Sequence, residues 1–540
     1  MVSIRKTPAI PDEERTPLVV DLLEIIQLLQ EQVQALRDEI ARLKGEKPKP
    51  KIKPSKLEAG SGRKEKERKK GKRPGSAKRS KTGKLKIHQT VVVKAKNVPQ
   101  ESRFKGYEDY TVQGLIFRSH NVRYRRERWQ TPQGDCIVAP LPEQVEILGG
   151  HFSHSLICFV LYQYYHAHVT QPLILEQLWE LGIDISAGQI NRIITEDNDR
   201  FHSEKEEILR AGLEVSSYVN VDDTSARHQG KNGYCTHIGN ELFAWFESTE
   251  SKSRINFLKL LRAGHTDYVL NDDATEYLRA HKLPNFQFEK LVAHHKKTLS
   301  NETQWAATLE GLDITDERHV RIATEGALLG SVLEHGVDPA LVIMSDDAGQ
   351  FNVLLHVLCW IHAERTINKL VGYNDKQREG VAEIRAQLWD FYDDLKAYKK
   401  APGQQKKAEL EARFDDLFTT KTCYVSLNLA LERIHQNKAE LLLVLDHPQI
   451  PLHNNSSERD IREYVKRRKI SGSTRSDDGR RCRDTFTSLK KTCRKLEISF
   501  WDYLKHRVVG LERIPPLGEV IRQQARASPG RLAHEHAMGS

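Results

Sequence analysis

An α/β core carrying a helical insertion is the fold class this sequence predicts, and three observations predict it. Tyr218 to Asp223 reads as a strand ending in paired carboxylates, with two further strand patterns and a helix behind it. Leu341 to Asp346 repeats the design, short and apolar with an acid at its end, as expected of a buried central parallel strand. Between Asp346 and a third acid, Glu458, the apolar residues Val381, Ile384, Leu388, Phe391, Leu395 and Tyr398 recur at helical spacing.

The elements before the core follow in order. Residues 1–45 hold a heptad pattern, with Val19, Ile26, Val33 and Ile40 at position a and Leu22, Leu29, Leu36 and Leu43 at position d. β-Branched a with Leu d predicts a parallel two-stranded coiled coil, and hence a homodimer or higher homo-oligomer. Residues 46–87 change to Lys, Arg, Gly, Pro and Ser and should form a disordered linker. Over 47–86 there are 18 Lys/Arg and 3 Glu, a net of +15. The whole chain carries +10, so the remainder is 10 − 15 = −5. The basicity therefore sits in a tail suited to nonspecific contact with phosphate backbone. Residues 88–148 begin with Val91–Val93 and continue with Tyr107, Tyr110, Phe117, Tyr124 and Trp129 among many Arg, which reads as a small β-rich module.

Residues 149–212 read as a helical domain. Phe152–Tyr165 is helical, Pro172–Leu181 is helical, Gly182 turns the chain, and Ser186–Gln189 is a capping box that opens a further helix. Ile190, Ile193 and Ile194 give that helix its buried face. Gln189, Asn191 and Arg192 are left near its exposed N-terminus, where a recognition helix meets bases or phosphates. The pair resembles a helix-turn-helix, although any helical hairpin looks similar.

The core reads as two stretches, 213–372 and 448–512, separated by the helical insertion 373–447, with a tail at 513–540. Tyr234–Ile238 and Glu241–Glu247 are strands joined by a two-residue turn at Gly239-Asn240, and Lys252–Leu261 is a helix. A three-strand meander followed by a helix matches the opening of a ribonuclease H-like fold. If the strand of Asp346 lies parallel beside that of Asp222, both acids meet at neighbouring strand ends, where ligands bind in such sheets. Asp223 and Asp347 adjoin them, and Asp272, inside the insert 263–340, competes for the second place. Asp346 is preferred because its strand is more apolar.

His453 to Ser476 reads HNNSSERDIREYVKRRKISGSTRS. Ile461 and Val465 face the protein, Glu458 and Arg462 project together, and Gly472 ends the helix. Asn455 could orient a carboxylate or backbone group. Arg459, Arg462, Lys466, Arg467, Arg468, Lys469 and Arg475 surround Glu458 with positive charge. A carboxylate among so many cations fits a metal ligand acting on a polyanion, though a solvated helix with ordinary ion pairs has the same look. Carboxylate oxygens suit Mg²⁺, with Mn²⁺ able to substitute.

The seven cysteines contain no C-x-x-C, which argues for reduced thiols in a cytoplasm. Leu156–Tyr162 is the longest apolar run and is too short for a bilayer. Arg5, Asp12, Glu13 and Glu14 interrupt the first residues, so no secretory leader is expected.

Asp222-Asp223-Thr224, then Asp346 with Cys359-Trp360-Ile361-His362-Ala363-Glu364-Arg365, then Asn454–Arg459 with Arg468–Ser476 resemble, in that order, the motifs of the insertion-sequence 66 family of bacterial transposases. The resemblance implies that Asp222, Asp346 and Glu458 are a catalytic D-D-E set holding Mg²⁺. It implies 3′-end cleavage and strand transfer on double-stranded DNA, and small accessory transposition proteins as partners. The family's N-terminal module often carries zinc-binding cysteines, whereas residues 88–148 hold only Cys136, so no zinc is expected there. Asp223 replaces the usual Glu. Cys359 and His362 read as an ordered element behind the site. A ribonuclease H-like nuclease or resolvase, and a catalytically dead dimeric DNA-binding regulator, are the other readings of the same residues.

Overall fold

The structure is a computed structural model describing residues 86–94, 99, 102–142, 151–293, 297–511 and 513–527, together with seven positions between 16 and 29. The coiled coil expected over 1–45 and the basic linker over 46–87 lie outside these residues, save for a few positions. Residues 29–121 form one unit and the rest of the chain another. Between 86 and 121 the described residues carry no strand, and Val91–Val93 are exposed. Of the β structure expected over 88–148, the described residues hold β1 (Arg128–Gln130) and β2 (Cys136–Val138), an antiparallel pair in the second unit.

Four helices precede the core: α1 (His154–Leu161), continued by a π turn, α2 (Gln171–Glu180), α3 (Ala187–Thr195) and α4 (Asp199–Val215). Ser186 caps α3 by accepting from the Gln189 N–H. Ile174 and Leu178 of α2 and Ile190 and Ile194 of α3 are buried in one shared core, as the periodicity of the segment requires.

The core opens with β3 (Tyr218–Ser225), β4 (Tyr234–Gly239), β5 (Ala244–Thr249) and α5 (Arg254–Leu261). The β4–β5 turn spans Asn240–Phe243 rather than two residues. Asn240 N bonds Phe243 O at 3.0 Å and Asn240 Oδ1 accepts from Leu242 N at 2.9 Å, so the Asn side chain builds the turn. Leu242 and Phe243 are thereby buried in the core instead of lying in the strand.

The described residues of the insert 263–340 form regular elements. It holds β6 (Tyr268–Leu270), α6 (Asp272–Ala280), α7 (Asn285–Val292), β7 (Lys297–Leu299), α8 (Glu302–Gly311) and α9 (Glu317–Glu334), with β6 and β7 antiparallel. Gly330 lets α9 approach β6 closely, since a Cβ there would fall 2.3 Å from the Val269 carbonyl oxygen.

β8 (Val342–Ser345), β9 (Leu355–Leu358) and α10 (Trp360–Asn368) complete the first part of the core. The insertion consists of α11 (Asp375–Lys400), α12 (Gln404–Phe418), α13 (Val425–Gln436) and α14 (Lys438–Leu442). The chain then returns as α15 (Asn455–Ser471), α16 (Asp477–Lys495), α17 (Phe500–Val509) and α18 (Leu517–Ala527).

The sheet has the order β5-β4-β3-β8-β9, with β3, β8 and β9 parallel and β4 antiparallel to its neighbours. Strand alternation sorts its side chains. Tyr218, Val342, Met344 and Val357 share a core with Trp360 and the insertion helices. Val219, Val221 and Ile343 share the other with α4, α5, α9 and α16. The β5 edge is closed by side chains of α16. Thr492, Ser488 and Asp484, four residues apart, accept from the N–H groups of Ala244, Phe246 and Ser248, two residues apart. Four helical residues rise about 6.0 Å and two strand residues about 6.6 Å, so the row stays in step and the edge N–H groups are taken.

Candidate active site

Asn220 lies opposite Met344 in the parallel β3–β8 ladder. Continued two residues, that register sets Asp222 level with Asp346, just past the end of β8. Side-chain alternation separates Asp222 from Asp223. Asp223 accepts from Thr236 Oγ1 at 2.6 Å and Gln350 Nε2 at 2.9 Å, and faces Lys252 Nζ at 3.7 Å. Its oxygens are thus committed to the scaffold. Asp222 Oδ1 accepts from the Asp223 N–H at 2.7 Å, and its acidity is set mainly by burial and then by Asp346, with Asp223 and Glu458 adding to the effect. Together they push its carboxyl up to about 7. Asp346 is raised as well, by burial first, while His362 and Lys252 pull it down. Asp347 is exposed beside the insertion, and the charges that act on it are those of Arg433, Asp346 and Glu440. Asp272 is an exposed residue in the first turn of α6, beneath the Asn271 cap.

Glu458 comes from the first turn of α15. Asn454 fixes where that helix begins: its Nδ2 donates to Val221 O at 2.8 Å, and its N–H donates to Cys359 Sγ at 3.2 Å. The orienting role expected of Asn455 is therefore filled by its neighbour, and Asn455 itself is half-buried. Cys359 is buried at the N-terminus of α10 and bridges β8 to α15. Glu458 is gripped by Arg365, with Nη1 to Oε1 at 3.0 Å and Nη2 to Oε2 at 3.5 Å, rather than by Arg462. His362 Nε2 stands 3.8 Å from Glu458 Oε1 and also influences Asp346. Burial pushes its imidazole down, while Asp346 and Glu458 oppose that. His362 and Arg365 are the site residues that sequence reasoning missed. Their signal was present in the C-W-x-H-x-x-R segment, whose i, i+3 spacing puts both side chains on one face of α10.

Below Glu458, α15 is pinned by a buried charge cluster. Asp460 meets Lys491 Nζ and Lys495 Nζ at 2.8 Å each, and His237 Nε2 at 3.4 Å. The two lysines and His237 hold its carboxyl well below the usual range despite burial. His237, directly across from Asp222 on β4, contacts Ser457 Oγ at 2.6 Å. Ile461 and Val465 face the protein as expected, against Ala226, Cys235 and Phe246.

The basic block divides by helical phase. Arg459, Arg462, Lys466, Lys469 and Arg475 are exposed. Arg468 donates to Thr224 Oγ1 at 3.0 Å and Ser225 Oγ at 2.6 Å, tying α15 to β3. Arg467 departs from the expectation of a phosphate contact. It is 4% exposed, lies 3.7 Å over the Tyr164 ring and donates to Tyr164 O. It lies three residues from Tyr464 and six from Ile461, on the inner face of the helix. Gly472 ends α15 at φ 64°, ψ −131°, a conformation essentially confined to glycine. Past it, Thr474 pairs with Arg227 and Gln229, beyond β3. On α3, Asn191 and Arg192 are exposed and Gln189 is half-buried. Asn191 Oδ1 accepts from Gln171 Nε2 at 3.2 Å.

A five-stranded mixed sheet with acids at adjacent parallel strand ends, interrupted by a helical insertion, is compatible with a ribonuclease H-like core. Residues 329–481 match the family model described as "Transposase IS66 family". That segment includes Asp346, His362, Arg365 and Glu458 but not Asp222. The chain is also 43% identical over 322 residues to "Uncharacterized protein y4jO" of Sinorhizobium fredii (strain NBRC 101917 / NGR234), covering 59% of this chain and all of that relative. This chain belongs to the IS66 transposase family. Among the described residues, no helix is long and apolar enough to cross a membrane.

Proposed function

We propose that this chain is a DNA transposase whose catalytic set is Asp222, Asp346 and Glu458, cleaving at the 3′ ends of an insertion sequence and joining them to target DNA. The observation that carries this reading is the in-register placement of Asp222 and Asp346 on neighbouring parallel strands, with Glu458 electrostatically coupled to them. The donor set fits Mg²⁺ or Mn²⁺: three carboxylates, two of them raised by burial in a space that a cation would neutralise. When bound, such ions lower the pKa of the attacking hydroxyl and offset charge on the departing oxygen. Asp223, held by Thr236, Gln350 and Lys252, fixes the strand that presents Asp222. Arg365 holds Glu458 and must yield one carboxylate oxygen when Glu458 becomes a ligand. The exposed Arg459, Arg462, Lys466, Lys469 and Arg475 hold DNA phosphates beside the acids, and Gln189, Asn191 and Arg192 of α3 contact the element ends. The heptads of residues 1–45 pair subunits so that two ends are processed together, and small accessory proteins assist.

The test is Glu458→Gln in a Mg²⁺-dependent assay on end DNA, with strand transfer scored separately from cleavage. Loss of both, with end binding retained, is expected. Unchanged cleavage would overturn the assignment, and cleavage without joining in the parent protein would make it a nuclease.

A further inference from the structure

A second set of donors lies in the insert. His265 is in the loop between α5 and β6, Asp267 directly precedes β6, and His335 follows α9. One ligand atom from each lies within 4.8 Å of the other two. His335 Nε2 stands 2.9 Å from both carboxylate oxygens of Asp267. The two imidazoles stack with centroids 3.5 Å apart at 9°, which brings their ring nitrogens to one side of the Asp267 carboxylate. His265 is pushed down by burial first, then by His335, with Arg210 and Arg262 adding to this and Asp267 opposing it. The carboxylate is oriented from outside the cluster: Ser331 Oγ, buried on α9, donates to Asp267 Oδ1 at 3.0 Å, and Arg262 Nη1 holds the Asp267 carbonyl at 2.5 Å. A donor group steadied by a buried hydroxyl behind it is what metal centres use to fix ligand geometry.

We propose that His265, Asp267 and His335 bind one divalent transition-metal ion of the zinc class. Two imidazole nitrogens and one carboxylate suit zinc or cobalt rather than Mg²⁺, which selects all-oxygen sets. Both histidines are exposed, so solvent can supply the remaining position. The ion would clasp the two ends of the insert, joining the start of β6 to the end of α9. Seven residues beyond His335, β8 begins, and it leads to Asp346. Closing so long a loop makes metal binding a contribution to folding stability. This site is independent of the acid set and of the activity proposed for it.

The experiment uses the full chain, stripped of metal and titrated with Co²⁺ and Zn²⁺. Expected are one Co²⁺ per chain with visible d–d absorption, displacement by Zn²⁺ but not by Mg²⁺, and a rise in Tm with Zn²⁺. His265→Ala, which removes an exposed ring, should abolish the absorption and the Tm rise, as should His335→Ala. Ser331→Ala should weaken binding by about 10-fold. Asp222→Asn and Glu458→Gln should leave the Co²⁺ spectrum unchanged. No Co²⁺ absorption in the parent, or absorption that survives His265→Ala in a chain with parental circular dichroism, would overturn the proposal.

Discussion

Replacing Asp222 by Asn should stabilise the metal-free protein while removing its chemistry. Burial first, then Asp346, with Glu458 adding, hold the Asp222 carboxyl up at about 7 against 3.8 for the unperturbed acid. The gap is about three units, and at about 1.4 kcal/mol per unit, ionised Asp222 costs the fold at most about 4 kcal/mol. The sign follows from linkage. Below about pH 4 the acid is protonated in folded and unfolded chains alike, so nothing is lost. From about pH 4 to 7 the unfolded chain releases its proton while the folded chain keeps it, so stability falls as pH rises. Above about pH 7 the loss is complete. Asparagine has the shape of the protonated acid, and its Oδ1 can still accept from the Asp223 N–H. Urea unfolding in EDTA near pH 8 should favour the variant by about 2–4 kcal/mol, and near pH 4 the two proteins should coincide. Mg²⁺ should narrow the gap by stabilising the parent alone. A variant less stable than the parent near pH 8, or a difference that ignores pH, would refute the reading that burial and the neighbouring acids raise the Asp222 carboxyl.

Two further substitutions probe α15. Asp460→Ala leaves the ammonium groups of Lys491 and Lys495, both nearly buried, facing each other without their carboxylate. That should cost about 3–5 kcal/mol in urea unfolding and unseat Glu458, whereas a loss under 1 kcal/mol would mean the cluster does not anchor the helix. The basic block should split by phase. Lys466→Ala with Lys469→Ala should flatten the log–log salt dependence of DNA binding by about 1.8 and change stability by less than about 0.5 kcal/mol. Arg467→Ala should leave that slope intact and lower stability by about 2–3 kcal/mol, through its lost stack and hydrogen bond. Equal salt slopes for the two variants would contradict the buried position of Arg467.

The central strands were legible because burial on both faces forces a distinctive sequence, a short apolar run that can only end where a functional polar residue begins. That logic found β3 and β8, and their parallel register then brought Asp222 and Asp346 level. It also found α11, whose Ile384, Leu388, Phe391, Leu395 and Tyr398 are all buried. The β4–β5 turn was misjudged because the Asn240 side chain, through its bond to Leu242 N, substitutes for a backbone turn and draws Leu242 and Phe243 into the core. His362 and Arg365 were overlooked as site residues for a different reason. Their i, i+3 spacing sets them on one face of α10, but nothing in the segment says that this face meets a carboxylate 93 residues away rather than solvent.

Arg467 carries a more general point about reading charged helices. A run of four cations says nothing about which of them faces water, because charge has no periodicity of its own there. The apolar residues around it do set the phase. Ile461 and Tyr464 define an inward stripe that returns at Arg467, while Lys466 and Lys469, three residues apart, share the outer face. An arginine can occupy that inward position because its planar guanidinium can stack on Tyr164 while one of its N–H groups bonds the Tyr164 carbonyl. A lysine there would have to bury a compact, strongly hydrated charge with no ring face to match it. The order of residue types along the run, Lys466-Arg467-Arg468-Lys469, therefore follows the division between inside and outside: the arginines are the two that bond distant parts of the protein, and the lysines are the two exposed, Lys466 within 3.9 Å of Glu463 on its own helix.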